Sequence, residues 1–249
     1  MKKFILLSLI MLSGMFDLQI RAEKKQLTAS QILEKVDNII SAPKDQDMKV
    51  KLILIDKTGK EDLREMSMLQ KGSDKRLVRF LSPAAQRGIA FLSLPDDIMY
   101  LYLPAFNKTR RIASHIKNTK FAGTDFTYED LEAKEYSKKY MPELLKEEEN
   151  YYILQLNPRE GIKTDYSKVI IKVKTDNFYP VEIECYDKGN NFFKKMTAKN
   201  IEKVQGYWVS KESEMEDLRE NHRTKMIIEE VRFDTGVSDE KFTERYLKR

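Results

Sequence analysis

Two histidines are the side chains in this sequence best suited to acid–base catalysis or metal binding near neutral pH. His115 and His222 lie 107 positions apart, which makes a histidine-based metal site improbable. His222 lies in the run Glu220-Asn-His-Arg223, which is typical of a solvated turn, whereas His115 adjoins a segment of irregular pattern. The sequence contains no G-x-S-x-G, H-E-x-x-H or phosphate-binding glycine motif. We therefore expect no catalytic residue, no metal and no cofactor.

The composition excludes several other kinds of functional site. One cysteine, Cys185, excludes an internal disulfide framework and a cysteine-rich zinc or iron–sulfur site. Carboxylate pairs such as Asp96-Asp97 and Glu129-Asp130 are expected by chance among 40 acidic residues. The 45 Lys and Arg nearly balance these acids, so nucleic-acid binding through bulk positive charge is not indicated. The 12 Phe, 12 Tyr and 11 Met are too many for a disordered chain.

The first 22 residues have the layout of a secretory signal peptide. Two lysines precede an uncharged, mostly apolar run over Phe4–Phe16, and Ala22 is the expected last residue before cleavage. The run is shorter than the roughly 20 apolar residues that a transmembrane helix needs. We therefore expect residues 1–22 to be removed on export and residues 23–249 to form a single domain. The alternative is an uncleaved membrane anchor.

The chain that follows changes its hydrophobic period from that of a helix to that of strands. The spacing predicts a helix over residues 28–40, with Thr28 or Ser30 as its N-cap and Pro43 as its break. Its apolar stripe consists of Ile32, Leu33, Val36, Ile39 and Ile40. From Met48 onward, apolar and polar residues alternate in segments joined by short turns, which is typical of a β-meander. The predicted strands cover residues 48–56, 62–71, 75–82, 88–94, 98–103, 108–113, 151–157, 167–175, 180–187, 192–203, 207–214 and 224–233.

These elements predict the fold class. Strands of alternating polarity must hide one face, and a sheet of this size usually curls to avoid exposed edges. No linker rich in Pro or Ser divides the chain. The sequence therefore predicts a mainly β fold: an incomplete antiparallel β-barrel of about 11 strands, lidded by the N-terminal helix and a short central helical segment.

The apolar faces of the strands are the candidate ligand-binding surface. They contain several Met residues, whose flexible side chains adapt to irregular apolar partners. Two interpretations stay open: an ordinary filled core, or a cavity for acyl chains in which each buried methylene contributes about 0.8 kcal/mol. The candidate cavity residues are Leu52, Leu54, Met66, Met68, Val78, Phe80, Met99, Leu101, Leu103, Ile171, Val181 and Ile183.

The segment between the predicted strands, residues 114–140, contains the run Phe121-Ala-Gly-Thr-Asp-Phe-Thr-Tyr-Glu-Asp-Leu131. Gly123 can adopt a positive φ, and Thr127 with Asp130 fits a capping box that predicts a short helix from Tyr128. The aromatic residues of the run could close the mouth of a barrel. The run is explained either as a structural turn and cap or as part of a movable lid. The candidate lid residues are Arg110, Arg111, Phe121, Gly123, Thr124, Asp125, Phe126 and Tyr128.

The same run resembles the hallmark of the outer-membrane lipoprotein-sorting family, which is related to the LolA and LolB carriers. Members carry an F-x-G-[TS]-D-[FL]-[ST]-Y-x-D segment after a Pro-containing strand and an Arg-Arg-Ile stretch. Here those features are Leu101–Pro104 and Arg110–Ile112. Tyr179–Val181 and Gly206–Val209 also look like the family pattern, and the likeness covers roughly residues 28–235.

The resemblance implies an incomplete barrel whose hydrophobic interior receives acyl chains without catalysis. The expected cargo is an acylated lipoprotein or a lipid, carried through the periplasm towards the outer membrane. The expected partners are an inner-membrane transporter and an outer-membrane acceptor, with no role for nucleic acid. No cysteine lies near the end of the apolar run, which disfavours an anchored receptor role like that of LolB. The alternative is a non-catalytic interaction module, a filled barrel that partners a membrane lipid exporter; a lipid-acting enzyme is the weakest hypothesis.

Overall fold

The structure is a computed structural model and describes residues 26–133 and 135–249. The predicted signal peptide lies outside these described residues. None of the helices within them is long and apolar enough to cross a membrane. The α-helices in this part of the chain are α1 (Ala29–Ile40), α2 (Tyr128–Leu131), α3 (Tyr136–Lys139) and α4 (Glu244–Leu247). The strands are β1 (Asp45–Ile55), β2 (Glu61–Lys71), β3 (Lys75–Ser82), β4 (Ala90–Leu94), β5 (Ile98–Leu103), β6 (Lys108–Arg111), β7 (Tyr140–Glu147), β8 (Tyr151–Pro158), β9 (Lys168–Lys174), β10 (Pro180–Tyr186), β11 (Phe192–Val204), β12 (Tyr207–Asp217) and β13 (His222–Phe233).

The strands of the described residues form one antiparallel sheet of thirteen strands that does not close. Its order is β6-β5-β4-β3-β2-β1-β13-β12-β11-β10-β9-β8-β7, so that β6 and β7 are the two edges. Every pair except β1 with β13 joins strands that are consecutive in the chain, which is the meander that the alternating segments predict. The prediction of a mainly β, incomplete antiparallel barrel is confirmed.

Strand β7 is absent from the predicted set, and it accounts for the larger number of strands. Pro142 interrupts its apolar pattern, and Met141 and Leu145 are exposed, so no alternation marks this segment. Proline removes a ladder donor and is tolerated at the edge of a sheet. The edge position of β7 therefore explains both its sequence and why alternation does not reveal it.

Helix α1 confirms the predicted N-terminal helix. Thr28 is its N-cap, and the reciprocal bonds of Thr28 with Gln31 form a capping box. The apolar stripe of Ile32, Leu33 and Val36 is completely buried. It packs on the inner face of β8, β9 and β10, where burial of each side chain stabilises the fold by about 2 kcal/mol.

Besides the hydrophobic cluster under α1, the sheet carries two others, one on its inner face and one on its outer face. On the inner face, β1–β5 pack against the central segment of residues 112–131. On the outer face, Leu69, Leu77 and Leu92 pack against the C-terminal segment through Phe242 and Leu247. The C-terminal segment therefore covers the outside of β2–β5 and leaves the inner face to the central segment and α1.

Candidate functional site

The central segment crosses the inner face as a tight loop followed by helix α2. Ala122 and Gly123 adopt left-handed φ values of 48° and 78°, which a glycine enters without strain. The loop is closed by a hydrogen bond of 2.8 Å from the Phe121 N–H to the Phe126 carbonyl. Thr127 and Asp130 form the capping box that the spacing predicts, and the helix begins at Tyr128.

The aromatic residues of this loop fill one half of the inner face. Phe121 stacks on Phe80 with ring centroids 5.3 Å apart and contacts Tyr128 at 5.7 Å and Phe91 at 6.0 Å. All of these rings are buried. These rings form a packed core on the inner face of β3 and β4. The predicted cavity residues that lie in this packed cluster, away from the cavity described next, are Leu52, Leu54, Met66, Val78, Phe80 and Met99.

A cavity of about 250 Å³ remains beside the aromatic cluster, over the middle of the sheet. Its walls are mainly apolar, and its rim includes Ile40 at the end of α1 and Tyr136 at the start of α3. Of the predicted site residues, Met68, Phe126 and Ile183 line it. Its methionines are Met48, Met68, Met196 and Met226.

The other predicted cavity residues lie around this space. Ile171 is buried in the cluster under α1. Leu101 packs partly buried against the aromatic cluster, and Leu103 is half-buried at the end of β5. Val181 lies at a β-bulge between β9 and β10 and is only partly buried. The structure therefore brings two of the twelve predicted cavity residues, Met68 and Ile183, to the cavity wall, together with Phe126 of the predicted lid.

A buried ion pair ties helix α2 to the sheet at the cavity wall. Lys194 of β11 has 2% of its surface exposed, and its Nζ donates to Asp130 Oδ2 at 2.6 Å and to the Tyr166 hydroxyl at 2.5 Å. The Tyr166 hydroxyl donates to Asp130 Oδ1 at 2.8 Å. Burial and the Asp130 carboxylate raise the pKa of Tyr166 well above its usual value, which keeps this hydroxyl a donor. Sequence analysis missed Lys194, although alternation places it on the same face as Met196 and Ala198.

Asp125 fixes the loop to strand β13. Its side chain is completely buried and accepts hydrogen bonds from Thr224 Oγ at 2.7 Å and Lys120 Nζ at 3.0 Å. His222 Nδ1 lies 2.6 Å from Asp125 Oδ2, the oxygen that also accepts from Thr224. The interpretation of His222 as part of a solvated turn is therefore wrong: the residue begins β13, which brings it over Asp125. His115, in contrast, is exposed.

Lys120 connects this loop to the turn between β12 and β13. Its Nζ contacts Asp125 at 3.0 Å, Asp217 at 2.9 Å and Glu220 at 2.7 Å. Burial opposes its charge, but hydrogen bonds to Glu220, Asp217 and Asp125 raise the pKa of Lys120 above its usual value. Among the described residues, no group of three or more His, Cys, Asp or Glu is arranged to hold a metal.

Two arginines of the sheet hold backbone carbonyls of the central segment. Arg64 donates to the Ala122 carbonyl at 2.5 Å. Arg76, which lines the cavity, donates to the carbonyls of Leu131 at 3.1 Å and Glu132 at 3.4 Å, and burial lowers its pKa to about 10. Arg64 and Arg76 therefore fix the central segment to the sheet. Arg110 and Arg111 are exposed on the edge strand β6.

Two further carboxylates position the residues after α2. Asp37 of α1 is buried and accepts from the backbone N–H groups of Tyr136 at 2.7 Å and Ser137 at 2.8 Å, which joins α1 to α3. Burial raises the pKa of Asp37 despite these bonds. Asp97 lies 3.1 Å from both Lys117 Nζ and Lys139 Nζ and so ties the β4–β5 turn to the same region.

The fold recurs in solved structures. An outer membrane lipoprotein-sorting protein domain from Vibrio parahaemolyticus is 27% identical with a TM-score of 0.79, covering 87% of this chain and 98% of that one. A DUF1329 family protein from Desulfovibrio piger is 27% identical with a TM-score of 0.83, covering 88% and 97%. A LolA superfamily protein from Nitrosomonas europaea shares the fold, with 24% identity, a TM-score of 0.75 and coverage of 89% and 100%.

A family model with the description "-like: Uncharacterized protein" matches residues 72–249. The chain belongs to the family of this model, and its structural neighbours are LolA-superfamily outer-membrane lipoprotein-sorting domains. The family resemblance of the Phe121–Leu131 run is thereby confirmed. No curated protein matches the sequence with significance. The LolA-like superfamily consists of non-enzymatic binding and transport proteins, and its fold points to a role as a lipoprotein-sorting carrier.

Proposed function

We propose that this chain is a periplasmic carrier that shields the acyl chains of a lipoprotein or lipid in its cavity and transfers them towards the outer membrane. The observation that carries the proposal is the methionine-lined apolar cavity of about 250 Å³ between the aromatic cluster and the cluster under α1. An apolar ligand in such a space gains about 0.8 kcal/mol for each buried methylene. The predicted signal peptide supports delivery to the periplasm.

We propose that the cavity is in a closed state in this structure, because it is too small for a complete acyl chain. Ligand sites in proteins have volumes of roughly 300–1,000 Å³, so the present space must widen to hold a complete acyl chain. Four methionines line it, and their unbranched side chains can move between rotamers at small cost. We propose that cargo enters as these side chains move and the surrounding wall shifts.

The wall best suited to move is the end of α2 from Asp130 to Glu132, which lines the cavity next to the aromatic cluster. It is held by polar contacts, those of Arg76 with the carbonyls of Leu131 and Glu132 and of Lys194 with Asp130. Hydrogen bonds can be exchanged for water or ligand contacts, whereas the aromatic cluster around Phe121 would lose packing. We propose that this stretch opens as a lid while the Phe121 loop stays in place.

The alternative of a filled barrel fits one half of the inner face. Phe121 and its aromatic neighbours fill the space over β3 and β4. The cavity over β1 and β10–β13 is the part that this alternative leaves unexplained. The two hypotheses therefore differ in whether that space takes up an acyl chain.

The experiment is to purify the exported chain from a bacterial periplasm, extract it with organic solvent and identify released molecules by mass spectrometry. We expect a phospholipid or an acylated peptide in an amount comparable to the protein. Loaded protein mixed with lipid vesicles should then pass its cargo to them. A chain that contains no lipid and takes up no fluorescent fatty acid would contradict the carrier function and leave the interaction module.

A further inference from the structure

The edge strand β6 and the hairpin before it form a cationic surface with an exposed aromatic tip. We call it the β6 surface and define it by Phe106, Lys108, Arg110 and Arg111. Phe106 has 68% of its surface exposed, more than any other large apolar residue in the described part of the chain. The three cations are exposed as well. The carrier function proposed above uses none of these side chains.

The sequence around the β6 surface is free of acids. From Ile98 to Thr124 it contains no Asp or Glu and five Lys or Arg, in a chain with 40 acidic residues. Two of these five, Lys117 and Lys120, pair with carboxylates from other parts of the fold. Lys108, Arg110 and Arg111 have no carboxylate within ion-pair distance among the described residues. The fold therefore leaves Lys108 and Arg110 without a neutralising acid, whereas Arg111 shares its strand partner Tyr100 with Glu244, outside ion-pair distance.

The hairpin presents Phe106 on a rigid support. Residues Pro104–Phe106 form a single turn of 3-10 helix, and Asn107 closes it with a left-handed φ of 47°. Pro104 packs on the backbone of Gly88, where an added Cβ would lie 3.4 Å from the proline ring. The exposure of Phe106 thus follows from the hairpin geometry.

Protection of a sheet edge does not explain this combination of residues. Charged side chains on edge strands prevent pairing with other chains, and charge of either sign serves that purpose. The other edge, β7, carries Pro142 and charges of both signs, namely Glu143, Lys146 and Glu147. An exposed Phe would work against such protection. One sign of charge combined with an apolar tip indicates a surface that meets a specific partner.

We propose that the β6 surface docks this protein on an anionic lipid bilayer. Phe106 enters the boundary between headgroups and acyl chains, and Lys108, Arg110 and Arg111 contact lipid phosphates. Phosphate groups supply the negative charge that this surface lacks, and the bilayer boundary accepts an aromatic ring. Each cation near an anionic membrane strengthens binding by about fivefold.

The experiment measures binding of the full exported chain to vesicles of phosphatidylcholine, with and without phosphatidylglycerol, by sedimentation. We expect binding only to vesicles that contain phosphatidylglycerol, weakened by added salt. Arg110→Glu with Arg111→Glu removes two cations and should weaken binding by more than about 25-fold. The matched control, Lys199→Glu with Lys203→Glu, makes the same change of net charge on exposed positions of β11 and should leave binding nearly unchanged.

Phe106→Ser tests the apolar tip without touching the charge or the packed core. It should weaken binding by about tenfold, since a partly buried Phe contributes that much. Binding without preference for phosphatidylglycerol, or equal losses in the β6 and β11 double variants, would overturn the proposal. Retention of a fluorescent fatty acid by Arg110→Glu with Arg111→Glu separates this result from the carrier function, because the β6 surface lies outside the cavity.

Discussion

Replacement of Lys194 by Met tests how the central segment is held against the sheet. Lys194 is the cation of the buried pair with Asp130, and its loss leaves a carboxylate without its counter-charge. Breaking a buried ion pair by removing one partner costs about 3–5 kcal/mol. Asp130 keeps three donors in the Lys194→Met variant, the Thr127 N–H, the Thr127 hydroxyl and the Tyr166 hydroxyl. We therefore expect a loss at the lower end, about 3 kcal/mol.

The companion variants give a ranking that a simple packing effect would not produce. Asp130→Asn removes the counter-charge of an ammonium that is 2% exposed, so its cost should exceed that of Lys194→Met. The double variant removes both charges and should be more stable than either single variant. The matched control is Lys195→Met, which breaks the half-exposed pair with Glu182 at 2.7 Å and should cost less than about 1 kcal/mol.

Urea unfolding at pH 7, followed by circular dichroism, measures these differences as shifts of the midpoint at constant slope. Hydrogen exchange should show faster opening of residues 126–132 in Lys194→Met than in the wild-type chain. Equal losses for Lys194→Met and Lys195→Met, or a double variant whose cost is the sum of its parts, would refute the reasoning.

Three other changes test the contacts around the site. Burial would raise the pKa of Asp97, but hydrogen bonds and charge from Lys139 and Lys117 lower it to about 2. Because this pKa is below the unfolded value of 3.8, the ionised Asp97 stabilises the fold fully above pH 3.8, and this contribution is lost as pH falls through 2. Asp97→Asn should thus cost about 1 kcal/mol at pH 7, after allowance for a half-exposed group, and only a small part of that at pH 2 in urea titrations; an equal cost at both pH values would contradict this. Phe121→Ala should cost about 3–5 kcal/mol in the same titrations and speed exchange of the loop, and a cost under 1 kcal/mol would show that its stacking on Phe80 does not hold the segment. Gly123→Ala should cost about 1–2 kcal/mol because its φ is 78°, while the added Cβ would make only an ordinary contact with Arg64 Nη2 at 3.9 Å; an unchanged midpoint would contradict the strain.

The parts of the fold that follow from local patterns could be predicted. The capping boxes at Thr28 and Thr127 depend on residues three positions apart, and both are present. Alternating polarity marks strands such as β3 and β5 with their observed bounds. Strand β7 could not be found in this way because an exposed edge strand with Pro142 has no buried face to create a pattern.

The site depends on contacts between distant residues, and sequence spacing does not contain them. Alternation identifies the face on which Met66 and Met68 lie, but not which of the two meets the aromatic loop and which lines the cavity. His222 looks like a turn residue until the pairing of β12 with β13 places it over Asp125. Lys194 does give a local signal for the site. It is a cation on an apolar strand face, and a buried lysine requires a partner.

The most direct test of the carrier account is a titration with a fluorescent fatty acid. Ala198 lies on the cavity wall of β11, and Ala198→Phe places a phenyl ring into that space, whereas Lys199→Phe places the same ring on the exposed side of the strand. Displacing only two methylenes of the ligand costs about 1.6 kcal/mol, more than tenfold in affinity. The account predicts saturable binding by the wild-type chain and by Lys199→Phe, and at least tenfold weaker binding by Ala198→Phe. Equal affinities of the two variants would contradict the assignment of the cavity as the acyl-chain site.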